Sequence, residues 1–259
     1  MARLLIISSQ VMRGRVGGSL AMPALECLGH EVWALPTVLL STRPGYGTVE
    51  KQTFTPDTMM SFAKALEKDG ALQNLDGVLT GYFPSNGHVE AAASIVQQIK
   101  AANAECVYVC DPVMGDTDKG LYIAEDAAAA VRDQLVPLAD IITPNRFEMN
   151  WLTGETGPID AARALGTETT IITSAEMTET QIYNLLISAG NLQKRGTKRF
   201  ENVPNGTGDL FSALILHGLS CHAPPQAAFA AACEILEAVA QDSQNQEILQ
   251  FSRTLTGSH

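Results

Sequence analysis

Short apolar runs alternate along this chain with longer segments whose apolar residues recur at helical spacing. The runs that we expect to be strands are near-continuous in apolar residues, which is typical of a parallel sheet covered on both faces. These strands are Leu4–Ser8, Glu31–Leu35, Gly77–Tyr82, Cys106–Cys110, Asp140–Thr143, Thr170–Thr173 and Tyr183–Ser188. The helical segments are Ser19–Leu28, Pro56–Glu67, His88–Ala101, Ala124–Leu135, Asp209–Leu219 and Pro225–Ala240, and Arg146–Leu152 and Ile159–Leu165 continue the alternation. This repeated order predicts an α/β protein with three layers, α/β/α, around a mostly parallel central sheet.

Composition and charge narrow the range of partners. The 259 residues are 46% hydrophobic and 17% charged, and no linker or internal repeat divides them, so we expect one domain over residues 1–259. The net charge of −11 argues against a nucleic acid or an anionic membrane as the main partner. The N-terminal apolar run is too short for a signal peptide, and no other run approaches about twenty apolar residues, which indicates a cytoplasmic protein.

Polar and glycine clusters follow one predicted strand after another. In open α/β sheets, ligands bind beyond the carboxyl ends of the strands, so these clusters should meet at one edge. They are Ser8-Ser9-Gln10, Thr80-Gly81-Tyr82, Asp111-Pro112-Val113-Met114-Gly115-Asp116, Thr143-Pro144-Asn145, Thr173-Ser174 and Gly206-Thr207-Gly208-Asp209. Strand ends need turn residues in any protein, which explains the glycines and prolines better than it explains the carboxylates.

The turn from Asn205 to Asp209 is the strongest single indication of chemistry. Its two glycines let the backbone turn tightly, and the first N–H groups of the helix that follows favour a phosphate or an oxyanion. Asp209 could accept a proton from an alcohol held over the same amides, as phosphoryl transfer to a hydroxyl requires. The alternative is that Asp209 is an ordinary helix N-cap, and the turn alone does not decide between the two.

Three carboxylates follow strands in the middle of the chain. Asp111 and Asp116 come after one apolar strand, and Glu148 comes shortly after the next. Because bare carboxylates and phosphates repel each other, these residues suit a phosphate site only with a cation between them, and Mg²⁺ prefers oxygen ligands. A solvated surface run that includes Asp118 and Lys119 is the alternative for Asp116.

These motifs occur in the order found in pyridoxal kinases, members of the ribokinase-like superfamily, and the chain resembles them over nearly its whole length. The matching segments are Ile7-Ser8-Ser9-Gln10-Val11 followed by Gly14 and Gly17, Asp111–Asp116, Ile142-Thr143-Pro144-Asn145 with Glu148, Ile172-Thr173-Ser174, and Gly206-Thr207-Gly208-Asp209-Leu210-Phe211. The glycine-rich turn is shared by the wider superfamily, whereas the combination is highly specific. The resemblance implies a homodimeric, ATP-dependent kinase that phosphorylates the 5′-hydroxymethyl group of pyridoxal, pyridoxine and pyridoxamine.

The resemblance also implies roles for single residues. Asp209 would take the proton from the substrate hydroxyl, and the amides of Gly206, Thr207 and Gly208 would hold the transferring phosphoryl oxygens. The substrate-binding residues would be Ser9, which hydrogen-bonds the pyridine ring, together with Val11, Tyr82 and Asp209. The residues around ATP would be Asp111, Thr143, Glu148, Thr173 and Gly206. The metal ligands would be Asp111, Asp116 and Glu148, with Mg²⁺ as the main ion and Asp116 near the phosphates or a monovalent cation, K⁺.

Two segments depart from the pattern of these kinases. Such kinases usually carry Asn-His-Thr-Gln or Asn-His-Thr-Gly before a tyrosine, whereas this chain reads Thr42-Arg43-Pro44-Gly45-Tyr46. Pro44 removes a backbone donor and a threonine hydroxyl, so we expect a weaker or differently shaped substrate pocket on that side. The segment Gly190–Phe200, which should border the adenine, is short and basic. Its basic residues could offset the acidic field near the triphosphate, or the segment could be a solvated loop, and we favour the loop.

Two other functions remain open on the sequence. A hydroxymethylpyrimidine kinase is the first, although such enzymes typically carry Cys at the position of Asp209. A non-catalytic protein that binds vitamin B6 is the second; the Pro44-Gly45 departure favours it, and the intact glycine-rich turn argues against it.

Overall fold

A nine-stranded sheet runs through the centre of the molecule, whose computed structural model describes residues 1–257. In chain order the strands are β1 (Arg3–Arg13), β2 (Glu31–Thr42), β3 (Lys51–Thr53), β4 (Gly77–Thr80), β5 (Val107–Cys110), β6 (Gly115–Asp116), β7 (Gly120–Leu121), β8 (Ile141–Ile142), β9 (Thr169–Met177), β10 (Gln181–Ser188) and β11 (Asn191–Lys198). β6 and β7 form a separate hairpin, and the others lie in the order β11-β10-β9-β8-β5-β4-β1-β2-β3. The pairings from β9 across to β2 are parallel, and the outer pairings at both edges are antiparallel. The mostly parallel sheet is therefore confirmed.

Helices cover both faces of this sheet. They are α1 (Gly18–Cys27), α2 (Pro56–Lys68), α3 (Asn86–Ala102), α4 (Glu125–Ala130), α5 (Arg146–Thr153), α6 (Pro158–Leu165), α7 (Thr207–Ser220), α8 (Pro225–Asp242) and α9 (Ser252–Thr256). Successive residues of a strand point to opposite faces. Accordingly, Leu5 and Ile7 of β1 join the core that α2, α3 and α4 cover, whereas Leu4 and Ile6 join the core that α1, α7 and α8 cover. The predicted three-layer α/β/α architecture is confirmed.

β1 and β2 run well past the ends that the sequence predicts. The apolar runs stop where polar residues and Pro36 begin, but the two strands stay paired as far as Arg13 and Thr42. β1 pairs with β4 only up to Ile7, so the extensions of β1 and β2 project beyond the carboxyl end of β4. β3, which has no apolar pattern, pairs with the extension of β2 through its backbone. The extensions form one side of the site described below.

The basic segment between Gly190 and Phe200 is a strand, so its interpretation as a solvated loop is wrong. β11 pairs antiparallel with β10 along all of Asn191–Lys198 and forms one edge of the sheet. Its side chains are exposed except for that of Thr197. An edge strand that buries almost no side chains has no apolar periodicity to detect, and lysines are typical of such edges.

No helix within residues 1–257 is both long and apolar enough to span a membrane.

The close packing of α7 on α8 supports the helix that carries Asp209. A Cβ on Gly218 of α7 would lie 2.6 Å from the Cβ and 3.1 Å from the Cα of Ala228 in α8. The two helix backbones therefore approach each other at a point where only glycine fits.

We predict that Gly218→Ala lowers the free energy of unfolding by about 1–2 kcal/mol. Overpacking costs about 1–3 kcal/mol, which exceeds the gain of up to about 1 kcal/mol from replacing glycine inside a helix. Urea unfolding followed by circular dichroism measures the change. The double variant Gly218→Ala/Ala228→Gly, which removes the opposing Cβ, should recover most of it. A single variant as stable as the parent protein would contradict the expected clash.

Candidate active site

The loop before α7 ends in a left-handed turn at Gly206. This residue is the N-cap of the helix, with φ 111° and ψ −1°, and a Cβ in its place would lie 2.6 Å from the carbonyl oxygen of Arg15. Both features restrict the position to glycine. Asp209 is consequently the third residue of α7. Its interpretation as the N-cap is wrong, because Gly206 already occupies that position.

The start of α7 lies between two cavities at the carboxyl edge of the sheet. Gly206 and Asp209 line the larger one, of about 630 Å³, whereas Thr207 and Gly208 line the smaller one, of about 240 Å³. Asn205 reaches both cavities. A Cβ on Gly208 would have no neighbouring atom within 4 Å, so the first turn is open to the smaller cavity. Because free N–H groups at a helix start attract anions, an anion that passes from one cavity to the other would meet these amides.

The larger cavity collects most of the residues expected to bind the substrate. Ser9 and Tyr82 line it, and so does Pro44 of the segment that departs from the usual pattern. Val11 is not one of the described residues that line it. Instead, Val11 is buried, and its N–H and carbonyl oxygen both bind Ser19 Oγ, at 2.8 and 3.0 Å. The apolar wall comes from Val16, Val38, Leu40, Val49, Pro84 and Val113.

The smaller cavity collects residues from the other half of the sheet. Thr173 of β9 lines it, together with Thr197 and Lys198 of β11 and Phe200. The expectation that the segment around residues 190–200 borders a ligand cavity therefore fits the geometry, although the segment is a strand. Its cavity-lining residues lie beside the end of the sheet where β8 and β9 stop.

Two buried carboxyl groups, Asp111 and Glu148, belong to the site together with the half-buried Asp209 at the start of α7. Asp111 and Asp209 line one small void beneath the larger cavity. Burial, followed by the charges of Glu148 and Asp209, raises the pKa of Asp111 well above its ordinary value. Burial raises the pKa of Glu148 to about 7 and that of Asp209 to about 6, although backbone hydrogen bonds oppose both shifts. Within residues 1–257, no lysine, arginine or histidine forms an ion pair with any of the three.

Ser212 is a residue of this site that the sequence analysis missed. It is buried one turn after Asp209, and its hydroxyl donates to Asp111 Oδ2 at 2.8 Å. Ser212 Oγ also lies 2.8 Å from Thr143 Oγ1, so Thr143 is connected to Asp111 through Ser212. The available signal was its spacing, because residues three apart on a helix share a face. Ser212 thus holds one carboxylate in place from the helix that presents another.

The carboxylate of Glu148 caps the start of α5 and also binds the backbone at Met114. It completes a capping box with Asn145, in which Glu148 Oε2 accepts the N–H of Asn145 at 2.8 Å and Asn145 Oδ1 accepts the N–H of Glu148 at 3.0 Å. Its Oε1 accepts the N–H of Met114 at 3.1 Å. Both oxygens are therefore tied to the backbone, which fixes the carboxylate but leaves lone pairs on each oxygen.

Asp116 is part of the β6–β7 hairpin, beside the exposed Asp118 and Lys119. Its Oδ1 accepts the N–H groups of Asp118 and Lys119, at 3.0 and 2.8 Å, and its Oδ2 accepts the hydroxyl of Tyr122. Desolvation alone would raise the pKa of Asp116, but the hydrogen bonds from Tyr122 and from the backbone outweigh it and lower the pKa. The carboxylate faces the larger cavity and stays ionised there.

Comparisons with known proteins agree with this geometry. Residues 49–250 match the phosphomethylpyrimidine kinase family model. Pyridoxal kinase PdxY of Corynebacterium diphtheriae is 35% identical over 222 residues, which are 82% of this chain and 78% of that protein. The crystal structure of pyridoxal kinase from Entamoeba histolytica superposes with a TM-score of 0.89 at 25% identity and covers 100% of this chain and 97% of that one. Pyridoxal kinase from Leishmania donovani, in complex with ADP and pyridoxamine, has a TM-score of 0.87 at 26% identity over 98% and 95% of the two chains. The chain therefore belongs to the pyridoxal kinase family, with its ribokinase-like fold.

Proposed function

We propose that the protein transfers the terminal phosphoryl group of ATP to the 5′-hydroxymethyl group of pyridoxal, pyridoxine and pyridoxamine. The observation that carries this proposal is the position of α7 between two cavities, with Asp209 on one side and the amides of Thr207 and Gly208 on the other. The similar structure from Leishmania donovani was obtained with ADP and pyridoxamine, a nucleotide and an alcohol. We assign the smaller cavity to the nucleotide and the larger cavity to the vitamin.

Asp209 acts as the general base in this proposal. Its carboxylate lines the vitamin cavity, and the N–H of Gly17 donates a hydrogen bond to it. Burial raises its pKa to about 6, so it is mostly ionised at neutral pH and accepts a proton more readily than an ordinary aspartate does. The hydroxyl of the substrate donates its proton to this carboxylate as the new bond to phosphorus forms.

The amides of Gly206, Thr207 and Gly208 form the anion hole. They are the first N–H groups of α7 and have no partner within the helix, so they can donate to phosphoryl oxygens without breaking a bond. Their positions are fixed by the left-handed turn at Gly206 before any ligand arrives. Such preorganisation favours the transition state, in which charge is spread over the phosphoryl oxygens.

The buried carboxylates fit a magnesium ion. Asp111 and Glu148 lie in one cluster with Asp209, and they share raised pKa values and the lack of an ion-pair partner in the described part of the chain. Oxygen ligands of this kind suit Mg²⁺. When bound, Mg²⁺ supplies positive charge for the phosphates of ATP. Asp111 would hold it with the help of Ser212, and Asp116 would lie near the phosphates or a K⁺ ion.

The remaining substrate contacts follow from the walls of the two cavities. We propose that Ser9 binds the pyridine ring and that Tyr82 borders it, since both line the larger cavity. Thr173 would contact the nucleotide in the smaller cavity, and Thr143 would act through Ser212. The homodimer, the cytoplasmic location and the single-domain organisation stay predictions from the sequence.

A hydroxymethylpyrimidine kinase is the second candidate function. The family model that matches residues 49–250 is described as phosphomethylpyrimidine kinase, which is the observation in its favour. The relatives at about 35% identity are pyridoxal kinases, and Asp209 stands where hydroxymethylpyrimidine kinases typically carry Cys. We therefore favour the B6 vitamers as substrates.

We predict that the purified protein releases ADP from MgATP in the presence of pyridoxal, pyridoxine or pyridoxamine. A coupled ADP assay over a panel of B6 vitamers and pyrimidine alcohols measures kcat/KM for each. We expect the highest value for a B6 vitamer. A clear preference for hydroxymethylpyrimidine would support the second candidate, and tight vitamer binding without ADP release would support a non-catalytic protein.

We predict that Asp209→Asn lowers kcat by about 10²–10⁴-fold, the usual contribution of a general base, while the protein stays folded. Asn is close in shape to Asp and keeps an acceptor for the N–H of Gly17, so thermal unfolding should change little. Asp57→Asn is the matched control, because Asp57 is an exposed aspartate in the first turn of α2. Near-full turnover by Asp209→Asn would rule out its role as the base.

We predict an acid limb in the pH profile of kcat/KM, centred near the pKa of Asp209, which burial raises to about 6. As the pH falls through this value, the carboxylate takes up a proton and can no longer accept one from the substrate, so the rate falls. The Asp209→Asn variant should lack this limb. If the limb persists in the variant, it belongs to another group such as Glu148, whose pKa is raised to about 7.

A further inference from the structure

We propose that the guanidinium group of Arg43 binds an ionised hydroxyl on the ring of the substrate and so selects hydroxypyridine alcohols over other heterocyclic alcohols. The inference rests on the proposed B6 kinase function and adds a specificity-determining residue to it. Pyridoxal, pyridoxine and pyridoxamine all carry such a hydroxyl beside the substituent that distinguishes them, whereas hydroxymethylpyrimidine has none.

Arg43 is held at the wall of the larger cavity, immediately after the end of β2. Its backbone N–H donates to the carbonyl oxygen of Arg13 at 3.1 Å, and its side chain passes close over Gly14. The guanidinium carbon lies 3.8 Å from the centre of the Tyr46 ring. Ring stacking and the close passage over Gly14 fix the side chain, so little conformational freedom is lost when it binds a ligand.

The hydrogen-bonding capacity of Arg43 is largely unused by the protein. Its Nε is buried without a hydrogen-bond partner, and its Nη1 donates to the carbonyl oxygen of the adjacent Pro44 at 3.3 Å. No carboxylate within residues 1–257 lies within 4.0 Å of its nitrogens. A guanidinium carries five N–H donors, and leaving a buried donor unpaired is costly. The Nε is enclosed by the protein, so an anionic oxygen in the cavity would bind the guanidinium through its Nη groups, which carry four of the five donors.

Arg13 also lies over the ring of Tyr46, but unlike Arg43 it has an ion-pair partner. Its guanidinium lies 5.0 Å from the centre of the Tyr46 ring, but its Nη2 pairs with Glu247 Oε1 at 2.5 Å. Arg13 does not line the larger cavity, whereas Arg43 does. Arg43 therefore faces the cavity without an ion-pair partner, and its charge is available to a ligand.

The order of the strands places Arg43 at the ring end of the substrate. Asp111 follows β5 and Thr173 belongs to β9, which lie on one side of β1 and β4, whereas Arg43 follows β2, which lies on the other side. The phosphates come from the side of β5 to β9, so the substrate ring extends from Asp209 toward β2 and β3. The other charged groups that line this cavity are Lys51, Asp116, Lys119 and Asp209. Hydrogen bonds within the β6–β7 segment already occupy the carboxylate of Asp116. Arg43 and Lys51 therefore give the wall formed by β2 and β3 a positive charge that faces the ring.

The test compares two substrates across variants of Arg43, Arg13 and Lys51. We expect Arg43→Gln to raise KM for pyridoxal by about 10–100-fold, the range of a hydrogen bond to a charged group, and to change kcat by less than about threefold. With 3-deoxypyridoxal, which lacks the ring hydroxyl, the same variant should match the parent protein. Arg43→Lys should restore part of the KM for pyridoxal, and Arg13→Gln, the matched control, should leave both substrates unchanged.

Several outcomes would overturn the inference while the kinase function stands. Equal KM values of the parent protein for pyridoxal and 3-deoxypyridoxal would show that the ring hydroxyl is not recognised. An equal loss with both substrates in Arg43→Gln would assign the guanidinium to the phosphate or to the fold. If Lys51→Gln raises KM for pyridoxal and Arg43→Gln does not, the ring hydroxyl is bound by Lys51 of β3 instead. If the parent protein phosphorylates no B6 vitamer, the proposed function fails and this inference fails with it.

Discussion

Burial of carboxyl groups is the constraint around which the site is arranged, since Asp111 and Glu148 are buried and Asp209 is half-buried. Asp111, Glu148 and Asp209 come from three distant parts of the sequence and meet where the sheet ends, and burial raises the pKa of each. A raised pKa means that the folded state binds a proton more tightly than the unfolded chain does. For Glu148, folding is therefore favoured below about pH 4.5 and loses stability as the pH rises to about 7. On the proposed assignment, a magnesium ion bound with the nucleotide would offset this negative charge near neutral pH.

The helix α7 connects the carboxyl groups to the N–H groups that we propose bind the phosphate. Its first turn presents unpaired N–H groups, and the same turn carries Asp209, with Ser212 beneath it bonded to Asp111. One rigid element thus fixes the N–H groups of its first turn, Asp209 and, through Ser212, Asp111 relative to each other. The rigidity comes from packing, because α7 is buried along Leu210–Leu216 and meets α8 at the glycine contact between Gly218 and Ala228. Precise placement of reacting groups is worth a large part of the barrier in such reactions.

Much of the fold could be predicted from the sequence, because buried parallel strands and amphipathic helices carry strong periodic signals. β5 and α7 are examples, since nearly every residue of the first and one continuous stretch of the second are buried. The failures share a cause. β3, the β6–β7 hairpin and β11 are held by backbone pairing with few buried side chains, so their sequences resemble loops. In the site, Asp209 was identified through its motif, whereas Ser212 was missed because its role depends on Asp111, a residue 101 positions away.

The two ends of the larger cavity handle charge in opposite ways. In the proposed arrangement, the phosphoryl end concentrates negative side chains, whose charge a magnesium ion bound with the nucleotide would offset. The ring end is built from β2 and β3, where Arg43 supplies a fixed positive charge. Pro44 removes a backbone donor beside the guanidinium of Arg43, and the weaker or differently shaped pocket expected from it stays a prediction.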